Sequence, residues 1–340
     1  MIWLRATCLV LAGLIGIACA ATPPAGPATQ PASVPGSLPA SGPVEILFLH
    51  VNDSHGQIEG KAGPGGYARL ATLIDQACAE PRADRIFLVH CGDILSRGDA
   101  LTRRTLGEAN FDILNMLRFE AWTPGNGDFY GGLGVLQARI QQARFPTLAA
   151  NVSIRATSQP LAKSYFIAQA GPVRVAFFGL CFVRTNLPGG WAIKLDDPIE
   201  TAGRLVPELR RQADVVVAMT HIGYDEDVKL ARKVPGIDLI LGAHSHTHLP
   251  EGRLVEVGKR STLVCQAGDE LRFLGTVRMV LRPGAGGYKL QAIQAKTIPV
   301  DQTVKLDPKI QSLVARWAEK AQSQPASQPE KPQPVPAGVD

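Results

Sequence analysis

The chain has 340 residues, 45% of them apolar and 19% charged, with a formal charge of +5. That composition fits a globular protein of one large domain or two small ones and argues against a disordered or membrane-spanning chain. No Lys/Arg run interleaved with aromatic residues occurs, so no nucleic-acid surface is evident.

The first segment reads as an export signal. Met1–Arg5 carries one positive charge, Leu9–Ile17 is an apolar stretch too short to span a bilayer comfortably, and Ala18-Cys19-Ala20 offers small residues for cleavage. Two outcomes stay open: cleavage after Ala20, or lipid modification of Cys19 with membrane anchoring. Either one implies a periplasmic or envelope-associated protein. A linker over 21–43 follows, with seven prolines from Pro23 to Pro43. Such a composition cannot bury a core. The Pro/Gln-rich tail over 321–340 reads the same way, which leaves a folded body over 44–320.

Within that body strands and helices alternate. Glu45–His50 is a short apolar run of buried-strand type. Tyr67–Ala79 has helical spacing, with Leu70, Leu73, Ile74 and Ala77 on one face. Arg85–His90 is a second strand, and Thr102–Leu117 and Leu133–Ala143 are helices. Strands Val173–Leu180 and Asp214–Thr220 flank a helix over Glu200–Gln212, and Ile237–Leu241 is one more strand. Ser261–Cys265, Gly275–Leu281 and Tyr288–Ala295 form a late run of strands, the last two joined through Pro283–Gly287. Asp307–Lys320 closes the body as a helix, with Pro308 in its first turn. Alternation followed by strands predicts an α/β body with two packed sheets. Of the six cysteines, Cys8 and Cys19 belong to the leader. Cys78, Cys91, Cys181 and Cys265 sit in apolar segments as small hydrophobes, with no Cys-x-x-Cys pair for zinc or redox work.

Chemistry concentrates in five segments: Val51-Asn52-Asp53-Ser54-His55-Gly56, His90-Cys91-Gly92-Asp93, Gly125-Asn126-Gly127-Asp128, Thr220-His221-Ile222-Gly223, and Gly242-Ala243-His244-Ser245-His246-Thr247. Four of them begin where an apolar run ends, which is where a strand delivers side chains to a cleft. Asp, His and Asn are the donors that divalent metals in hydrolases take. Asp53 and His55, like His244 and His246, are alternate residues and share a face. The expected ligands are Asp53, His55, Asp93, Asn126, His221, His244 and His246. They hold two divalent ions, for which Mn, Fe, Zn and Mg are all suitable. His50, His90 and His248 are the remaining histidines, expected in supporting or surface roles. Arg184, the Gly63–Gly66 cluster and Trp191 are weaker candidates for substrate contact.

The order Asp-x-His, Gly-Asp, Gly-Asn-x-Asp/Glu, His, His-x-His resembles the calcineurin-like metallophosphoesterases. Gly65–Ile74, Ala150-Asn151-Val152, Val217–Tyr224 and Asp238–Thr247 are similar to the 5′-nucleotidase branch. The resemblance covers roughly 45–300 and implies a four-layer α/β/β/α sandwich acting on small phosphate esters. It implies one ion on Asp53, His55, Asp93 and His246, and a second on Asp93, Asn126, His221 and His244, with Asp93 bridging. Two departures stand out. Gly127 lies where that branch carries a catalytic His, and Tyr130 where it carries the acid that orients it. Tyr130 or Asp128 is then the candidate replacement donor beside Asp93 and Asn126. The 5′-nucleotidases carry a further C-terminal domain that grips the base, where the Pro/Gln-rich tail here is expected to be a tether. A thiosulfohydrolase branch resembles this scaffold too, and a metal-holding protein without turnover is the third reading.

Overall fold

The computed structural model of the chain describes residues 42–60, 65–79, 83–96, 98–183 and 189–323. The expected leader, the linker up to residue 41, residues 63–64 of the glycine cluster, Arg184 and the tail beyond Ser323 lie outside the described residues.

The elements run β1 (Val44–Val51), α1 (Tyr67–Cys78), β2 (Arg85–His90), α2 (Ala100–Arg104), α3 (Glu108–Met116), β3 (Ala121–Trp122), α4 (Leu133–Gln142), β4 (Val152–Ile154), β5 (Tyr165–Ala170) and β6 (Val173–Cys181). They continue as β7 (Ile193–Leu195), α5 (Pro198–Gln212), β8 (Val215–His221), α6 (Tyr224–Lys233), β9 (Leu239–Leu241), β10 (Arg253–Val257), β11 (Arg260–Cys265), β12 (Phe273–Gly284), β13 (Gly287–Pro299) and α7 (Pro308–Ser323). A five-stranded sheet has the order β13-β12-β1-β2-β3, and a six-stranded sheet has the order β10-β11-β9-β8-β6-β5. In the first, β1, β2 and β3 are parallel. In the second, β6, β8, β9 and β11 are parallel.

The period-2 alternation of each strand builds four layers. On β1, Leu47, Leu49 and Val51 pack with α1, α3 and α7. Ile46 and Phe48 face the other way and meet Val175, Phe177, Val217 and Met219 of the second sheet. That sheet's outer residues, Ala176, Phe178, Val216 and Ile240, are covered by Ala202, Val206 and Leu209 of α5 and Leu230 of α6. The result is helix, sheet, sheet, helix, as the sequence resemblance implied.

Most expected elements stand within a residue or two of their predicted limits. The expected helix Thr102–Leu117 is instead two, because Leu106 (φ 46°) and Gly107 (φ 79°) are left-handed. A Cβ at Gly107 would lie 2.0 Å from Leu95 Cδ2, so the bare glycine lets the loop after β2 pack onto the helix break. Five strands and one helix were not anticipated: β3, β4, β5, β7 and β10, and α6. The four cysteines of the body are free. Cys91, Cys181 and Cys265 are buried as expected, whereas Cys78 is exposed.

Candidate metal centre

All seven expected ligands follow the C-terminal ends of parallel strands, where open α/β sheets place their sites. Asp53 and His55 leave β1, Asp93 leaves β2, and Asn126 begins a 3-10 turn (Asn126–Phe129) after β3. His221 ends β8, and His244 and His246 follow β9. The first sheet therefore supplies four of them and the second sheet three. Backbone bonds tie neighbouring exits together: Asp53 N–H donates to Gly92 O (2.9 Å) and His55 N–H to Asp93 O (2.8 Å). Ten non-glycine residues are left-handed among those described, and five are expected ligands: Asp53, His55, Asp93, His244 and His246. Strain of this kind persists where the surroundings over-determine it, commonly at functional sites.

The ligand atoms converge. Asp53 Oδ2 is pinned by Asn52 Nδ2 (2.8 Å) and by the His244 backbone N–H (2.9 Å). Its Oδ1 points inward, 3.4 Å from His246 Nε2, 3.8 Å from His221 Nε2 and 3.9 Å from His55 Nε2. His55 Nε2 and His246 Nε2 face each other at 2.9 Å. Asp93 lies between the two halves, with Oδ1 3.3 Å from His221 Nε2 and Oδ2 3.7 Å from His55 Nδ1. Two triads, Asp53/His55/His246 and Asp53/Asp93/His221, each keep their donor atoms within 4.8 Å. Asp53 is common to both, where the sequence resemblance implied Asp93 as the bridge. His244 is set by its ring, 5.2 Å from that of His221.

Three buried polar atoms have no hydrogen-bond partner here: Asp53 Oδ1, Asn126 Oδ1 and His221 Nε2. Each belongs to a side chain whose other polar atom is fixed. Asn126 Nδ2 donates to Tyr130 Oη (2.7 Å), and His221 Nδ1 bonds the Cys91 carbonyl (2.8 Å). A buried polar atom left bare is costly, and bare donor atoms on three of the expected ligands fit bound cations. The electrostatics agree. Burial works against charge on His221, yet Asp93 and Asp53 hold its imidazole above the usual range. Asp269 and then Asp53, each within ion-pair distance of a ring nitrogen, lift His246 to about 10. Two nearly unexposed carboxylates draw positive charge onto the histidines, and divalent cations would supply that charge in their place.

A sequence profile of the calcineurin-like phosphoesterases matches residues 46–248. The chain belongs to that family. The family acts on phosphate ester bonds, and its members use a dinuclear metal centre. This phosphoesterase is 27% identical over 303 residues to the trifunctional nucleotide phosphoesterase YfkN of Bacillus subtilis, covering 78% of the chain and 20% of that protein. It is 28% identical to the 5′-nucleotidase of Vibrio vulnificus, covering 77% of the chain and 53% of that protein. The phosphoesterase thus spans about half the length of that curated relative or less. Among solved structures, a 5′-nucleotidase precursor from Thermus thermophilus superposes with a TM-score of 0.72 at 25% identity, over 82% of this chain and 59% of that one. The sulfate thiohydrolase SoxB of Thermus thermophilus has the same TM-score of 0.72 at 19% identity, over 86% of this chain and 62% of that one. That is a likeness of fold.

The two departures have local explanations in this phosphoesterase. A Cβ at Gly127 would lie 2.4 Å from both Cβ and Oγ of Ser96. Ser96 occupies that volume and bonds His55 Nδ1 (2.7 Å) through Oγ. Asp128 accepts four backbone N–H groups, from Asp93, Ile94, Leu95 and Gly125, at 2.8–2.9 Å. Burial and the Asp93 charge push its carboxyl up to about 7, while the Gly125 and Leu95 N–H groups favour the charged form. Tyr130 is 41% exposed, with its hydroxyl on Asn126.

Sequence reasoning missed several supports. Asp269 Oδ2 lies 3.3 Å from His246 Nδ1, and Asn52 bridges Asp53 to Gly268 O. Phe182, 37% exposed, lies 5.0 Å from the His244 ring. Asn52 sits inside a quoted motif, but Ser96 and Asp269 carry no signal beyond an ordinary Ser and one more Gly-Asp. The extra histidines support or lie outside the site. His90 bonds Ser54 Oγ (3.0 Å), buried His50 is lowered to about 4 by desolvation, and His248 stacks on Phe273 at 3.8 Å. Trp191 is partly buried, as expected.

Proposed function

We infer that this chain is an exported hydrolase of small phosphate monoesters that works with two divalent ions. The reading rests on one observation above all: Asp53 Oδ1, Asn126 Oδ1 and His221 Nε2, on expected ligands drawn from both sheets, are buried without a hydrogen-bond partner. Asp53, His55 and His246 would hold one ion, and Asp93, Asn126, His221 and His244 the other, with Asp53 and Asp93 reaching both. Two such ions supply Lewis-acid charge to phosphoryl oxygens and lower the pKa of water toward neutrality. The chain's own part is to fix the donors. Cys91 O sets the His221 tautomer, Ser96 orients His55, and Asp269 orients His246. Asp128, saturated by four N–H groups, shapes the turn that presents Asn126 and does not face substrate. Names of relatives point to nucleotides as the ester class. The leader Met1–Ala20, with Cys19 as the alternative lipid anchor, supports export to the periplasm or envelope.

The test is turnover by purified protein loaded with Mn²⁺, on p-nitrophenyl phosphate and its bis ester, with Asp93→Asn as control and metal content measured in parallel. Activity that needs Asp93 is the expected result. No turnover of any ester with both ions bound would overturn the reading and leave a sulfur ester or a binding role.

A further inference from the structure

Gly127 offers no side chain beside the expected ligand Asn126, and Ser96 fills the space next to it. Several hydroxyls near the ligands are committed. Ser96 Oγ is tied to His55, Ser245 Oγ to Gln266 and the Tyr224 N–H, and Thr220 Oγ1 donates inward to Asp227 (2.6 Å). Asp128 only accepts.

Tyr130 differs. Asn126 Oδ1 is the amide atom left bare toward the metal cluster, so its Nδ2 is the atom on Tyr130, and Nδ2 can only donate. The tyrosine oxygen is therefore the acceptor, and its own O–H proton is uncommitted. The Asn126 bond also holds that hydroxyl one side-chain length from an expected ligand, on a residue that is 41% exposed.

We propose that Tyr130 is the catalytic proton donor of this enzyme, serving the leaving oxygen of the phosphate ester. This rests on the phosphomonoesterase reading above. Water attacks phosphorus, a P–O bond to water forms and the P–OR bond breaks. The Tyr130 O–H proton passes to RO⁻ and gives ROH. The tyrosinate regains a proton from solvent, matching the one the attacking water loses, so ester and water become alcohol and hydrogen phosphate. The Asn126 Nδ2–H stabilises the tyrosinate while it exists.

The role predicts a dependence on the leaving group. A good leaving group needs no acid and a poor one does. The experiment compares the wild type with Tyr130→Phe on p-nitrophenyl, phenyl and glycerol phosphates, with bound Mn²⁺ counted in each protein. Expected is full metal content in Tyr130→Phe, little change with p-nitrophenyl phosphate, and a loss of about 10²-fold or more with glycerol phosphate. Equal rates on all three esters would overturn the donor role. A uniform loss together with lost metal would also overturn it and make Tyr130 a positioning residue for Asn126. A wild type with full metal that turns over none of the esters would overturn the phosphomonoesterase reading itself, and this one with it.

Discussion

Ser96 and Gly127 must be read as a pair. The serine side chain stands where a side chain at 127 would begin, 2.4 Å from its Cβ position. Gly127→His alone therefore does not restore a histidine to this site. Overpacking of this kind costs about 1–3 kcal/mol, and the variant is expected to melt below the wild type. Adding Ser96→Gly removes both clashing atoms and should recover most of that loss. A thermal melt of the two variants beside the wild type, all chelated, decides it, and a single variant as stable as the wild type would refute the steric pairing. Ser96→Ala tests the other half of the pair. It removes the hydroxyl on His55 Nδ1, and losing such an outer partner typically costs about 10–100-fold in metal affinity. Titration of the chelated protein with Mn²⁺ measures it.

At the scale of elements, what was legible followed from burial. β1, β2, β6 and β8 are almost wholly buried, so they read as apolar runs, and the ligands at the ends of β1, β2 and β8 could be placed before any coordinates. β5 and β10 are edge strands with mixed burial and gave no such run. β4 and β7 form a separate two-stranded sheet over three residues each. The helix split at Leu106-Gly107 depends on Leu95, which no helical period can reveal. α6 carried a signal that was not used: Asp225, Glu226 and Asp227 in its first turn, Arg232 and Lys233 in its last, matching the helix dipole. Asp227 is also the helix's anchor, since Thr220 Oγ1 of β8 donates to it at 2.6 Å. Desolvation raises the Asp227 carboxyl to about 8, against the Thr220 hydrogen bond and the His221 charge. Between the ordinary carboxylate range and about 8, the unfolded chain sheds this proton and the folded chain keeps it. The folded state then binds more protons, so this contribution is full at low pH and lost as pH rises through the window. A shift of this size carries at most about 6 kcal/mol. In chelated protein, Asp227→Asn should flatten the fall in melting temperature from pH 5 to pH 8. An unchanged slope would mean Asp227 ionises normally.

On the scale of the whole molecule, the metal centre is a joint between sheets. Asp53, His55, Asp93 and Asn126 come from the first sheet, and His221, His244 and His246 from the second. Direct bonds already cross here, His244 N–H to Asp53 Oδ2 and His221 Nδ1 to Cys91 O. What they leave bare is Asp53 Oδ1, Asn126 Oδ1 and His221 Nε2. Ions bound at those atoms favour the folded state over an unfolded chain whose donors are dispersed. At a free ion concentration 100 times Kd, one site contributes about 2.7 kcal/mol. For a domain of this size that is on the order of 5–10 °C in melting temperature. Chelation should lower the melting point by that amount or more, and readdition of Mn²⁺ should restore it in proportion to the logarithm of its concentration. The same treatment should barely move Asp93→Asn, whose weakened site holds less to lose. If chelation leaves the wild type unmoved while metal analysis shows the ions gone, the two sheets are held by their apolar interface and these direct bonds, and the bare donors serve chemistry without serving stability.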